Sequence, residues 1–162
     1  MRVVVLADTH IRRGGRRRLP DSVYDLLHDA EAILHAGDVL VADVLDELAG
    51  FAPVFAVLGN NDIELGGLLP EERTEELAGV KVGMIHDSGP TAGRPGRMRR
   101  RFPDADLVVY GHSHIPHDGP GLDGQWLFNP GSPTDRRAQP NHTVGILELE
   151  DGRIAHHEIR VV

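Results

Sequence analysis

Seven side chains of this chain have the chemistry of metal ligands, and they fall in five short clusters: Asp8 with His10, Asp38, Asn60, His86, and His112 with His114. Two carboxylates, one amide oxygen and four imidazoles are hard or borderline donors, suited to Mn²⁺, Fe, Zn²⁺ or Ni²⁺ rather than to Ca²⁺ or Cu(I). Seven donors exceed what one ion takes. If Asp38 bridges, each of two ions receives four protein ligands and keeps positions for water and substrate, as a catalytic site requires and a structural one does not. Two divalent cations against two carboxylates leave a charge of about +2, which attracts phosphate and lowers the pKa of a bridging water toward ~7. Asn60, where a third aspartate would cancel charge, keeps that balance and still offers an oxygen. Any one of these residues alone would be an ordinary cap or surface group.

Position makes the set informative, because each cluster directly follows a stretch that reads as a strand. Residues 2–7 are a short β-branched apolar run that ends abruptly at Asp8. Pro20-Asp21-Ser22 opens an amphipathic helix to about residue 29, with Asp21 or Ser22 as N-cap. A strand at residues 32–35, a helix at 41–48 closed by Gly50 and a strand at 53–58 follow. Strand, helix, strand, helix, strand is the pattern of parallel strands joined by crossover helices, and such sheets collect ligands at the carboxyl ends of their strands. The second half predicts a hairpin (74–77 and 80–85), a helix over 94–102, a buried strand over 107–110, and strands at 125–128, 143–150 and 153–162. Loops 86–97, 111–124 and 129–142 are rich in Gly, Pro and Asp and are expected to carry function. A mixed α/β sandwich accommodates all of it, with the 162 residues expected to form a single domain.

Composition narrows the alternatives. With no cysteine in the chain, thiolate sites, thiol nucleophiles and disulfides are excluded. Only five apolar residues, Val3 to Ala7, precede Asp8, too few for a signal-peptide core or a membrane span, so a cytoplasmic protein without a membrane partner is expected. A net charge of -8 argues against non-specific binding of nucleic acid by the whole surface. Locally, however, arginines cluster at 12, 13 and 16–18 and again between 94 and 101. Either cluster serves as a solvated face or meets a phosphorylated ligand, and Arg12 and Arg13 are the substrate-binding candidates because they leave the first strand beside Asp8 and His10. An apolar edge strand near Ile159 to Val162 offers a route to a homo-oligomer.

The series D-x-H, G-D, G-N-x-D, H and G-H-x-H, present in order as Asp8/His10, Gly37-Asp38, Gly59-Asn60/Asp62, His86 and His112/His114, resembles that of the calcineurin-like metallophosphoesterases, in particular the small single-domain prokaryotic phosphodiesterases. The resemblance spans nearly the whole chain. It implies a four-layer αββα sandwich of two mixed β-sheets flanked by helices. It also implies one metal held by Asp8, His10, Asp38 and His114 and another by Asp38, Asn60, His86 and His112, with Asp38 as bridge. Manganese is the first expectation, with nickel, iron and zinc as alternatives. The implied activity is hydrolysis of a phosphate ester, most simply a diester, by a hydroxide bridging the two ions. Asn129-Pro130-Gly131-Ser132 resembles the family's late N-P-G-S loop beside the site.

The chain departs from the family at Asn61, which stands where many relatives carry a histidine that protonates the leaving oxygen, and at Asp87-Ser88, where some carry a second histidine. An amide is no general acid, so substrates with good leaving groups or slower turnover are expected. Beyond the metal ligands no side chain is expected to be catalytic; Asn61 joins Arg12 and Arg13 as a substrate-binding candidate. Two other roles compete: a non-catalytic scaffold, as the phosphoesterase-fold subunit of the eukaryotic retromer serves mainly protein contacts, and a nuclease, for which nucleic acid enters as substrate only. His35, just before Gly37-Asp38, reads first as an ordinary packing residue, with an outer partner of a ligand as the alternative.

Overall fold

In the computed structural model, which describes residues 1–162, the chain opens as the β/α alternation predicts: β1 (Arg2–Leu6), α1 (Asp21–Leu27), β2 (Ala32–His35), α2 (Ala42–Ala49) and β3 (Val54–Ala56). It continues with β4 (Glu72–Leu77), β5 (Val80–Ile85), α3 (Arg94–Arg101), β6 (Leu107–Val109), β7 (His117–Pro120), β8 (Trp126–Asn129), β9 (Thr143–Glu150) and β10 (Arg153–Val161). Two five-stranded mixed sheets result, in the orders β10-β9-β1-β2-β3 and β4-β5-β6-β8-β7. β1, β2 and β3 run parallel in the first; β5, β6 and β8 run parallel in the second. All their carboxyl ends can therefore gather at one rim.

The apolar run Val3 to Leu6 divides by side-chain alternation. Val3 and Val5 join Leu34, Met84, Val109 and Phe128 in the core between the sheets, and Val4 and Leu6 face Val23 and Leu27 of α1 and Val44 and Leu48 of α2. A strand buried on both faces cannot alternate in polarity, which is why it reads as continuous. On the far face of the second sheet, Met98 of α3 and Phe102 cover Val108, Tyr110 and Leu127. The order helix, sheet, sheet, helix is the four-layer αββα sandwich that the resemblance implied.

Three local expectations are corrected. α1 begins at Pro20 as N-cap, with no side-chain capping bond from Asp21 or Ser22. Buried Leu19 and the fixed φ of Pro20 set its start, and Asp21 lies in the first turn, where a negative charge favours the helix dipole. β7 was missed inside the loop 111–124, because His-Asp-Gly-Pro has no strand periodicity. It is an edge strand held by β8 and by Asp118, which accepts from Trp126 Nε1 at 2.7 Å and lies 2.8 Å from His157 Nδ1. β3 is only three residues long, the rest of the expected strand being the approach to Asn60. No helix is long and apolar enough to cross a membrane, and β10 forms an edge of the first sheet.

Candidate metal centre

Backbone bonds stitch the strand ends together before any side chain acts. Asp8 N donates to Gly37 O (3.0 Å), His10 N to Asp38 O (2.9 Å) and Gly111 N to His86 O (2.9 Å). Between the sheets, His86 Nδ1 lies 2.7 Å from the carbonyl oxygen of Ala36 and donates to it. At this rim Asp8, His10, Asp38, His112 and His114 all adopt left-handed backbone, with φ of 55°, 47°, 58°, 68° and 58°. For an L-residue this costs about 1 kcal/mol or more each. The conformation breaks strand alternation, so that neighbouring side chains turn toward one point, and strain of this kind collects at functional sites.

A continuous chain of short approaches joins all seven ligand candidates. His114 Nε2 is 3.4 Å from Asp8 Oδ1 and 3.2 Å from His10 Nε2; His10 Nε2 is 3.5 Å from Asp38 Oδ2. Asp38 Oδ2 is also 3.5 Å from His86 Nε2, which lies 3.0 Å from Asn60 Oδ1; His112 Nδ1 is 2.9 Å from that same amide oxygen. Two groups of donors are close enough to hold an ion, Asp8 with His10 and His114, and Asp8 with Asp38 and His86. Asp8 belongs to both, and one oxygen of Asp38 is equidistant from an imidazole of each.

The donor chemistry fits cations. Both Asp8 carboxylate oxygens are buried and accept no hydrogen bond, an expensive state for a carboxylate left alone. With Nδ1 of His86 given to Ala36 O, its Nε2 in the neutral ring would turn a lone pair toward two further acceptors, Asn60 Oδ1 and Asp38 Oδ2. His114 repeats the device, donating Nδ1–H to Asp135 O and aiming Nε2 at Asp8. Lone pairs converging on lone pairs are repulsive unless a cation or an extra proton lies between them.

Protonation follows from these surroundings. Burial pushes the Asp8 carboxyl up to about 7. Burial would raise Asp38 too, but hydrogen bonds from His86 and Asn61 outweigh it and hold Asp38 well below the usual carboxylate range. His10 and His114 are lowered, chiefly by burial. For His86 burial also lowers, yet the Asp38 hydrogen bond and the Asp8 charge prevail and raise it.

Residues around the donors fix their loops in place. Asp62 is buried and accepts three backbone N–H bonds, from Asp38 (2.9 Å), Gly59 (2.7 Å) and Leu40 (2.7 Å), tying the second and third ligand loops together. Ser132 Oγ donates to Asp8 O at 2.8 Å, and Asn129 Nδ2 donates to Gly111 O at 3.0 Å, so the Asn129 to Ser132 loop fastens both the first and the last ligand loops. Gly59 is irreplaceable on space alone: a Cβ there would lie 2.2 Å from Asp38 N and Oδ1. Asn61 gives its backbone N–H to Asp38 Oδ1 (2.8 Å) and its side-chain amide to Asp38 Oδ2 (2.7 Å). His35 is fully buried, neutral with its pKa lowered to about 3 by burial, and touches Thr9 Oγ1 at 3.2 Å rather than a ligand side chain.

Arg12 and Arg13 are exposed on the loop after β1, Arg13 paired with Asp43 at 3.1 Å. Arg137 was missed: exposed, with left-handed backbone (φ 50°), its Nη1 lies 3.4 Å from His112 O, and its charge bears on Asp8, His10 and His114. Only its place in the loop 129–142 pointed to it.

Comparison with known proteins gives the family and the fold. The family model described as "Calcineurin-like phosphoesterase superfamily domain" matches residues 1–152. A protein of Methanothermobacter thermautotrophicus named "Probable metallophosphoesterase" is 35% identical, over 99% of this chain and 92% of its own length. In three dimensions the chain is similar to Vacuolar Protein Sorting 29 from Cryptosporidium parvum (TM-score 0.79, 21% identity, 99% of this chain and 96% of that one). It is equally similar to wild-type Vps29 complexed with Zn²⁺ from Entamoeba histolytica (TM-score 0.79, 22% identity, 100% and 98% covered). At these identities the two structures speak for the fold.

Proposed function

Since the chain belongs to the calcineurin-like phosphoesterase superfamily, we propose that it is a dinuclear metal-dependent phosphoesterase whose substrates are phosphodiesters. The observation that carries this reading is the continuous run of seven donors that starts from the doubly unpartnered Asp8 carboxylate. Asp8, His10, Asp38 and His114 are the proposed ligands of one divalent cation, and Asp38, Asn60, His86 and His112 of the other, with manganese first and nickel, iron or zinc as alternatives. Such cations supply Lewis acidity to phosphoryl oxygens and bring water to a pKa near ~7.

The chain's own contribution is orientation and charge. Ala36 O and Asp135 O take the Nδ1 protons of His86 and His114, so that each ring, once neutral, presents an unprotonated Nε2. Asn61 holds both oxygens of Asp38 and has no proton to give a leaving group at neutral pH. Substrates that need no acid are therefore favoured. Bis-p-nitrophenyl phosphate should be hydrolysed in the presence of Mn²⁺, whereas diesters with alkyl leaving groups should lag by roughly 10²- to 10⁴-fold, the usual worth of general acid catalysis. Purified, Mn²⁺-loaded protein with no turnover above background refutes the proposal.

Loading is also pH-linked. A proton on Asp8, and one on His86, must leave before either side chain can ligate, so affinity for Mn²⁺ should fall as pH drops below about 7. His10 and His114, lowered by burial, add less to this proton competition. Calorimetry between pH 8 and 6 should show Kd rising about tenfold per proton displaced per pH unit. A flat profile contradicts the ligand assignment.

A protein-contact role is the second reading, motivated by the fold likeness to Vps29. Less than one equivalent of metal bound at saturation would favour it.

A further inference from the structure

The first ligand loop continues into a basic trough that the proposed chemistry has not used. After His10 the chain makes a tight turn, in which Gly15 N donates to Arg12 O (2.9 Å) and Gly14 adopts φ 71°. That turn leaves Arg12 between two adjoining cavities of about 430 and 410 Å³, and both are lined by His10 and Arg12. The first also carries Asn61 and three apolar side chains, Leu40, Val41 and Ile63, the last almost wholly exposed at 89%. The second has no apolar side chain: Arg16, Arg17, Gly15 and Asp135 complete it.

Pairing distinguishes these arginines. Arg13 is engaged by Asp43 and Arg17 by Asp135, at 3.1 and 3.3 Å, whereas the guanidinium groups of Arg12 and Arg16 have neither an ion pair nor a hydrogen bond. Over the two cavities four guanidinium groups meet three carboxylates, Glu64 and Asp135 in the lining and Asp43 beside Arg13, which leaves Arg12 and Arg16 as the unpaired ones. A local cationic excess with unsatisfied planar donors, in a chain of net charge -8, is a device for anions. The anion that fits guanidinium forks and sits next to a phosphoester site is another phosphate.

We propose that this trough binds a second phosphate of the substrate, held by Arg12 and Arg16, while the organic group joining it to the scissile phosphate rests on Leu40, Val41 and Ile63. The substrates are then phosphoesters that carry a further phosphate near the scissile one. This rests on the phosphoesterase reading above. The chemistry is shared by two sources, a bisphosphorylated nucleoside and a nucleic-acid strand.

The test compares the p-nitrophenyl ester of thymidine 5′-phosphate with its 3′-phosphorylated form on Mn²⁺-loaded protein. The 3′-phosphorylated ester should have the higher kcat/KM, by about tenfold at 50 mM salt, with the advantage fading at 500 mM. In Arg12→Ala/Arg16→Ala the ratio of the two should approach one. Calorimetry with the corresponding uncleavable nucleoside bisphosphonate and monophosphonate gives the same comparison without turnover, so that the trough can stand if hydrolysis fails, and fall if hydrolysis is found. Preference for a thymidine hexanucleotide over the bisphosphorylated nucleoside supports the proposal with a strand as source, and the reverse order supports it with a free nucleotide. Equal affinity for the two phosphonates in the wild type, or a preference that survives the double substitution, overturns it.

Discussion

Asp38→Ala should reduce metal-dependent kcat/KM by roughly 10³-fold or more, the rate equivalent of the several kcal/mol that metal-ion charge stabilisation supplies. One oxygen of Asp38 stands 3.5 Å from both His10 and His86, so the substitution removes the charge shared by the two ligand groups. The fold should survive. Asp38 N would still donate to Asp62, and the ionised carboxylate is a side-chain feature whose loss frees Asn61 toward solvent. Asp38→Asn separates charge from shape, since the amide keeps one oxygen for Asn61 but cannot neutralise cations. It should be as inactive as the alanine variant, still unfolding cooperatively in chelator, with at least one equivalent of metal lost by elemental analysis. Retention of a tenth of wild-type activity by either variant would remove Asp38 from the centre of the mechanism.

Asp62→Ala should be the most damaging substitution for stability at this rim. Its carboxylate is 2% exposed and collects the backbone N–H groups of Asp38, Leu40 and Gly59. Hydrogen bonds to a charged group contribute about 1.5–3 kcal/mol each, and three donors left bare inside the protein find no substitute. Allowing for partial relaxation, a loss of about 3–5 kcal/mol is expected. For a chain of this size that corresponds to a fall in Tm on the order of 10 °C or more. Asp62→Asn keeps one acceptor oxygen and should lose less. Thermal unfolding by circular dichroism in chelator decides the matter, because metal binding would otherwise mask the difference. A shift below about 2 °C would show that the two loops hold their conformation without Asp62.

Much of the scaffold was legible before the structure. The bounds of β2, β5 and β9 coincide with the runs expected for them, because a strand buried on both faces, or on one, must write its burial into consecutive or alternate apolar residues. The turns Ala78-Gly79 and Asp151-Gly152 have positive φ at both residues, as hairpin turns of this kind demand. Where no periodic burial exists the signal vanishes. β7 is a strand because β8 offers it a partner, and nothing in His-Asp-Gly-Pro announces that. The start of α1 was misread because a buried Leu19 outweighed local capping chemistry.

The seven donors and their places after strands were likewise written in the chain, since a ligand must carry an oxygen or nitrogen and parallel strands must deliver it at their carboxyl ends. The orienting layer was not. Ser132 reaches Asp8 O across 124 positions, and the imidazoles of His86 and His114 are set by carbonyl groups, which every residue possesses and no sequence distinguishes. Left-handed backbone at five of the seven ligands is equally silent, for aspartate and histidine do not demand it as glycine would. Sequence alone thus determined which atoms are available for metal chemistry and the order in which the strands present them. Tertiary structure alone decided their mutual distances, their tautomers and the burial that leaves Asp8 without a partner, because those depend on which distant backbone groups the fold brings alongside.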